Sequence, residues 1–257
     1  MVIKSISALG QYTGELLDRI GLISLFLYNA MVSLSVKGFS TKKFLAQANY
    51  IGVQSLSVIL LTGGSVGSVM AWQTYNGLQK FQTYEFIGPI VFLGMVREFG
   101  PVLSAIMVAG RAGSAMTAEI GTMQISEQID ALRTLNIDVQ QYLIIPRILA
   151  TTAVLPLLSL FCSLCGVVGG YIIAVGFLKV NHELYISSIQ QNVMLKDIFH
   201  GLVKAFVFGY LLSVIATYKG YITRGGAKNV GISTTQSVVA ACLTILVTDF
   251  IMTSVMP

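Results

Sequence analysis

Arg97 and Glu98 stand side by side well inside the apolar run 84–112. Charge at membrane depth is costly, so a pair placed there is a functional hypothesis from the outset. Neighbours on a helix point about 100° apart and cannot form the i,i+4 pair that would neutralise both. Each therefore needs a partner elsewhere. The pair suits the floor of a polar cavity or a grip on an anionic headgroup. It equally suits a structural bridge to another helix, with Lys204 and Asp249 as candidate partners, and the residues leave both uses open. Glu119 follows the glycine-rich stretch Gly110-Arg111-Ala112-Gly113 and is expected to cap the next helix or to bridge Arg111.

A second polar constellation lies at 126–135. Ser126 is expected to cap a short helix that places Ile125, Ile129, Leu132 and Leu135 near one face. Glu127, Gln128, Asp130, Arg133 and Thr134 project from the others. About ten residues cannot cross a bilayer, which takes about 20. The helix reads as a docking surface.

Other chemistry is excluded. No G-x-x-x-x-G-K-[ST] loop is present, because Gly63-Gly64-Ser65-Val66-Gly67 lacks the lysine and lies in an apolar helix. His182 and His200 stand alone, so neither a hydrolytic triad nor a metal site is expected. Cys162 and Cys165 have C-x-x-C spacing but sit in Leu-Phe-Cys-Ser-Leu-Cys-Gly, where small packing residues are the simpler reading. The chain holds no cofactor and is not an enzyme. Uphill transport would need energy from a partner.

The elements that must position these groups follow from composition. Of 257 residues, 54% are hydrophobic and 11% charged, against roughly 25% charged in a soluble domain. The fold expected is an all-α integral membrane protein with five spans, near 50–74, 84–112, 143–178, 198–219 and 233–256. An odd number of spans puts the termini on opposite sides. Lys4, Arg19, Lys37, Lys42, Lys43, Arg111, Arg133, Arg147, Lys219, Arg224 and Lys228 fall on one side; Lys80, Lys179 and Lys196 fall on the other. The positive-inside rule makes the N-terminus cytoplasmic and puts the C-terminus outside. The net charge of +5 fits anionic headgroups and not nucleic acid.

Residues 5–36 mix Glu15, Asp18 and Arg19 with Ile20, Leu22, Leu25 and Phe26, and read as an interfacial amphipathic helix. The alternative, a sixth span over 20–36, would invert everything after it and spoil the charge count. No cleavable signal peptide is evident. Gly63, Gly67 and Ala71 stack small residues along one helix face, for close packing within the chain or between two copies. Trp72, Tyr75 and Tyr84 suit an interfacial belt. Pro101 and Pro156 lie inside apolar helices and invite kinks. The second and third apolar segments are long enough to project into the cytoplasm. The segment 182–192 reads as a short polar helix on the outer side.

The chain resembles the MlaE-type permeases, the membrane subunits of Mce-associated ABC lipid transporters. The likeness rests on Arg97-Glu98-Phe-Gly-Pro-Val, on Ala109-Gly-Arg-Ala-Gly-Ser-Ala-Met-Thr-Ala-Glu-Ile-Gly121, on Glu127-Gln-Ile-Asp-Ala-Leu132 and on Pro146-Arg147, in that order. It covers the whole chain, 1–257, as a single domain. The resemblance implies a homodimer in a bacterial inner membrane, two cytoplasmic ABC ATPases carrying the ATP and Mg, a STAS-domain protein, and a periplasmic MCE-domain ring. The substrate implied is a glycerophospholipid moved between inner and outer membranes, keeping the outer membrane's lipid asymmetry. In that picture 126–135 is the coupling helix, with Glu127, Gln128, Asp130, Leu132 and Arg133 docking the ATPase. Arg97 and Glu98 form the base of a lipid cavity whose apolar wall includes Met70, Leu78 and Phe81. Such a wall can hold acyl chains, at roughly 0.8 kcal/mol per buried CH₂.

Two departures stand out. Asn136-Ile-Asp-Val139 replaces a Gly-Val-Asp-Pro turn common in the family, keeping a left-handed helix stop but losing the proline-set exit. Phe81 replaces a tyrosine found in a relative, so no hydroxyl is available there. Two other roles remain open at the level of sequence: import of a sterol or other hydrophobic nutrient, and a scaffold that only anchors partners.

Overall fold

The computed structural model describes residues 40–256 and, ahead of them, Gly21, Leu22, Ser24, Leu25, Phe26, Tyr28, Ala30 and Val32. The rest of the expected interfacial helix 5–36 lies outside the described residues. Within them the chain is all-helical, with five helical segments long and apolar enough to span a membrane: Thr41–Phe81, Tyr84–Ile125, Gln140–Phe177, Leu195–Tyr221 and Ala227–Val255.

The first span is α1, Thr41–Leu78. The second is assembled from α2 (Ile87–Leu93), α3 (Gly100–Val108) and α4 (Ser114–Ile125), joined by π-helical turns at Gly94–Phe99 and Ala109–Gly113. A short α5, Gln128–Thr134, links it to the third span. That span is α6, Ile145–Tyr171, flanked by π turns at Gln140–Ile144 and Ile172–Phe177. The polar α7, His182–Asn192, precedes α8, Leu195–Tyr221, and α9, Ala227–Val255.

Two of the π turns have a local cause. Proline has no N–H to give to the carbonyl four residues back. Ahead of Pro101, Gly100 N–H reaches the carbonyl of Met95, and ahead of Pro146, Ile145 N–H reaches that of Gln140, so each ladder widens by one residue. Ser163 Oγ adds a second bond to Met95 O at 3.1 Å. Pro156 lies within α6, which runs through it without a break in helix.

Four of the five spans begin earlier than hydropathy suggests, and the second begins at the expected Tyr84. α1 starts nine residues before the expected 50, because the stems of Lys42, Lys43 and Gln47 continue the helix while their heads stay polar. α9 likewise takes in Lys228 and Asn229 ahead of the expected 233.

Glycine sets the main packing seam. A Cβ on Gly67 would fall on the carbonyl of Gly166, and one on Gly63 on that of Cys162. The small-residue row of α1 therefore packs within the chain, against α6. Cys162 is buried in that seam and Cys165 half-buried beside it, both as free thiols. At the α5 end, Arg133 meets Tyr221 and Lys43 meets Tyr142, so the start of α1, α5, the start of the third span and the end of α8 share one end of the bundle. At the opposite end, Ser188 bonds the Glu85 carbonyl and Arg97 reaches Met256.

Candidate functional site

Toward the α7 end, the π turn Gly94–Phe99 carries both Arg97 and Glu98. Lys204, on α8, is 2% exposed. Its Nζ donates to Glu98 Oε2 at 2.6 Å, to Asp249 Oδ1 at 3.0 Å and to Thr253 Oγ1 at 2.7 Å, which uses all three ammonium protons. Arg97 turns elsewhere: Nη1 lies 3.5 Å from Asp197 Oδ1, and Nη2 donates to the Met256 carbonyl at 3.2 Å. Asp197 also accepts the Met194 N–H at 2.8 Å, closing the first turn of α8. Two cations and three carboxylates from three spans thus share one polar knot in an otherwise apolar bundle.

Backbone fit holds the knot in place. A Cβ on Gly201 would land on the Val96 carbonyl, and one on Gly100 on Ser163 Oγ, so α8 and α6 both press against the π turn. Arg97 and Glu98 nevertheless remain partly open, with 29% and 35% of their side chains exposed. Lys204 and Asp249, candidate partners from sequence, are both found here. Asp197 and Thr253 were missed, since no spacing rule connects residues on separate helices.

The expected apolar wall is divided. Met70 and Leu78 pack against a cluster of Ala71, Ile87, Val91, Met95, Ala174, Val180 and Tyr185, and Met70 lies against Gly94 of the π turn. Phe81, beyond the end of α1, is 74% exposed. Beneath α7, burial first and neighbouring Tyr171 second push the Tyr185 phenol up to about 12, so it stays neutral at ordinary pH. Tyr171 itself pairs with His182 Nδ1 at 2.8 Å.

At the other end, α5 differs in detail from expectation. Ser126 is not its cap: Ser126 Oγ donates to Thr122 O at 2.7 Å, finishing α4, and accepts from Gln128 Nε2 at 3.0 Å. The chain turns instead at Glu127, whose φ of 59° is left-handed, and α5 begins at Gln128. Ile129 is fully buried against Ile120, Val139, Ile144 and Val214, with Leu132 packed beside it. Leu135 is 70% exposed, so the face expected to be uniformly apolar-in is not. Arg133 bridges Asp130 at 2.8 Å and donates to Tyr221 Oη at 2.5 Å, fastening α5 to the end of α8. Ile137 N–H to Leu132 O (2.9 Å) and Asn136 N–H to Arg133 O (3.0 Å) close α5 in a Schellman motif, with Asn136 at φ 57°. Glu127, Gln128 and Asp130 stay exposed.

Glu119 does not meet Arg111. Its Oε2 lies 2.9 Å from Arg147 Nη2, whereas Arg111 bonds Ser55 Oγ at 2.8 Å, Gln54 Oε1 at 3.1 Å and the Tyr50 carbonyl at 2.5 Å. Arg111 thereby ties the second π turn of the span to α1.

A multi-span bundle with a charged knot at one end and a fastened surface helix at the other invites comparison with membrane transporters. The family model described as Permease MlaE matches residues 44–255. The chain belongs to the MlaE permease family. Two of the relatives resemble it along its whole length and a third over most of it. A probable ABC transporter permease of Rickettsia typhi is 37% identical over 256 residues, covering 100% of this chain and 99% of its own. The intermembrane phospholipid transport system permease protein MlaE of Haemophilus influenzae is 34% identical over 257 residues, covering 100% and 98%. The chloroplastic protein trigalactosyldiacylglycerol 1 of Arabidopsis thaliana is 38% identical over 210 residues, covering 82% of this chain and 60% of its own. This MlaE-family chain is thus a multi-pass ABC-transporter permease, a transport component and not a catalytic subunit.

Proposed function

We propose that the chain moves glycerophospholipid between the inner and outer membranes of a diderm envelope and so maintains outer-membrane lipid asymmetry. It would sit in the inner membrane as a homodimer, N-terminus in the cytoplasm and C-terminus in the periplasm, which makes the α7 end the outer one. Exposed Glu127, Gln128 and Asp130 on α5, with Leu132 and Arg133 securing it, would couple it to an ABC ATPase pair that carries ATP and Mg. A STAS-domain protein and a periplasmic MCE-domain ring complete the assembly.

The observation that carries the reading is the way Arg97 and Glu98 are held. Each is anchored from behind, by Asp197 and by buried Lys204, while keeping about a third of its surface open. A purely structural bridge gains nothing from open charge in an apolar bundle, whereas a zwitterionic headgroup needs one cation and one anion presented together. The exposed Phe81 lies beyond the end of α1 for an acyl chain to meet.

A native mass spectrum of the complex, gently extracted with its co-expressed partners, tests this. Two copies of the chain, two ATPases and a bound diacyl phospholipid are expected. A bound sterol, or an assembled complex without lipid, would overturn the phospholipid assignment.

A further inference from the structure

A separate pocket of about 310 Å³ with both charged and apolar walls lies at the α5 end, between the first turns of α1, the middle of α4 and the entry of α6. Its charged lining is Lys43, Glu119 and Arg147. Arg147 is 4% exposed; Nη2 meets Glu119 at 2.9 Å, Nη1 donates to the Leu143 carbonyl at 2.7 Å, and Nε is buried with no hydrogen-bond partner. Lys43 Nζ rests 3.1 Å above the Tyr142 ring and makes no ion pair among the described residues. Two cations therefore face one carboxylate, in a cavity whose remaining walls include Met123, Leu143 and Pro146. The surplus cation, Lys43, is half-buried and Glu119 is 58% exposed, so the group that calls for a further acceptor is the buried, unpartnered Arg147 Nε, with the Lys43 ammonium across the same cavity to add positive charge.

The surroundings indicate which anion. Exposed Tyr142 and the start of α1, with Lys42 and Lys43, form the mix of aromatic and basic side chains that sits at a membrane–water boundary. The volume is at the small end of ligand pockets, which run from about 300 Å³ upward, and so suits a headgroup rather than a whole lipid.

We propose that this pocket binds the phosphodiester headgroup of a membrane phospholipid in the leaflet at the α5 end. Lys43 and Arg147 face the phosphate, and Glu119 faces the headgroup amine where there is one. The inference rests on the phospholipid reading above and extends it, because the charged knot around Lys204 lies toward the opposite end. The permease then has a headgroup station near each leaflet.

The test places a photoreactive benzoylphenylalanine at Ala46, which lines the pocket, and in a second strain at Phe81, in the full complex in cells grown with [³²P]phosphate. After irradiation the labelled peptide is identified by mass. A diacyl phospholipid adduct at Ala46, reduced about tenfold by Lys43→Glu and retained by Lys43→Arg, is expected for loss of a charged contact. Lys43 is half-buried and outside the core clusters, and Lys43→Gln serves as a milder second variant. A nucleotide or other water-soluble phosphate adduct at Ala46 would overturn the lipid assignment. No label at Ala46 with phospholipid on Phe81 would overturn the pocket and leave the transport reading standing; silence at both would overturn the two together. Labelling at exposed Ala46 unchanged by Lys43→Glu would be bulk lipid and would overturn the pocket.

Discussion

Lys204 Nζ lies 2.6 Å from Glu98 Oε2, joining α8 to the π turn of the second span. The same ammonium holds Asp249 of α9 at 3.0 Å, so one buried cation fastens three spans. Its removal would leave two carboxylates facing one another without a counter-charge. An uncompensated buried charge costs far more than the pair was worth.

Because Glu98 and Asp249 keep 35% and 20% of their side chains exposed, Lys204→Met is expected to destabilise the solubilised complex by about 1–3 kcal/mol, less than for a fully buried pair. Adding Glu98→Gln and Asp249→Asn to it should recover most of the loss. Thermal unfolding followed by size-exclusion fluorescence reads both, and an unaltered Tm in the single variant would contradict the geometry.

Exchanging Arg97 and Glu98 does not separate a headgroup site from a bridge, because the two residues serve different bridges. Arginine at 98 would face Lys204, and glutamate at 97 would face Asp197. The informative variant is Arg97→Asp with Asp197→Arg, which preserves the ion pair in reverse. Assembly is expected to persist while lipid co-purification drops about tenfold, as loss of a charge-assisted contact implies. Retained lipid would make Arg97 a bridge alone.

Glu127→Lys and Asp130→Lys alter exposed charge on α5 without touching buried Ile129. ATPase activity stimulated by assembly should fall in both, with the fold intact by circular dichroism. Asp130→Lys also faces Arg133 and should weaken its grip on Tyr221, so it is the more severe.

The α1–α6 seam makes a sharp distinction between two glycines three residues apart. Gly67→Ala puts a methyl on the Gly166 carbonyl and should abolish accumulation of folded protein. Gly64→Ala meets Cys165 Sγ at 3.6 Å and the Cys165 carbonyl at 3.8 Å, both ordinary contacts, and should be tolerated within about 1 kcal/mol. Membrane-fraction yield compares them.

Asn136 tolerates its left-handed φ of 57° where a β-branched residue would not. Asn136→Gly is expected to be neutral, and Asn136→Val to cost about 1–3 kcal/mol, measured by thermal unfolding.

What could be read from sequence was what depends on local pattern. Apolar length marked the spans, His182 through Asn192 marked α7, and Asn136 marked the stop of α5. Partner choice was less legible. Glu119 lies near Arg111 in sequence yet bonds Arg147, because the fold brings the start of α6 to α4. Asp197 looks like a helix-start residue and is one, but its second role with Arg97 exists only once two spans meet. Ser126 was misassigned because a hydroxyl in that position can end one helix as well as begin the next, and it ends α4.

The π turns at Gly94–Phe99 and Ala109–Gly113 each add a residue beyond the regular helical count. One extra residue rotates everything that follows by about 100° around the axis. The compass bearing of Glu119 on its span is therefore set by two distant insertions as much as by its own neighbours. Deleting Gly110, which faces open space, would take away no side-chain contact. It would swing the remainder of the span to a new heading, carrying Glu119 away from Arg147 and the small pocket at the α5 end.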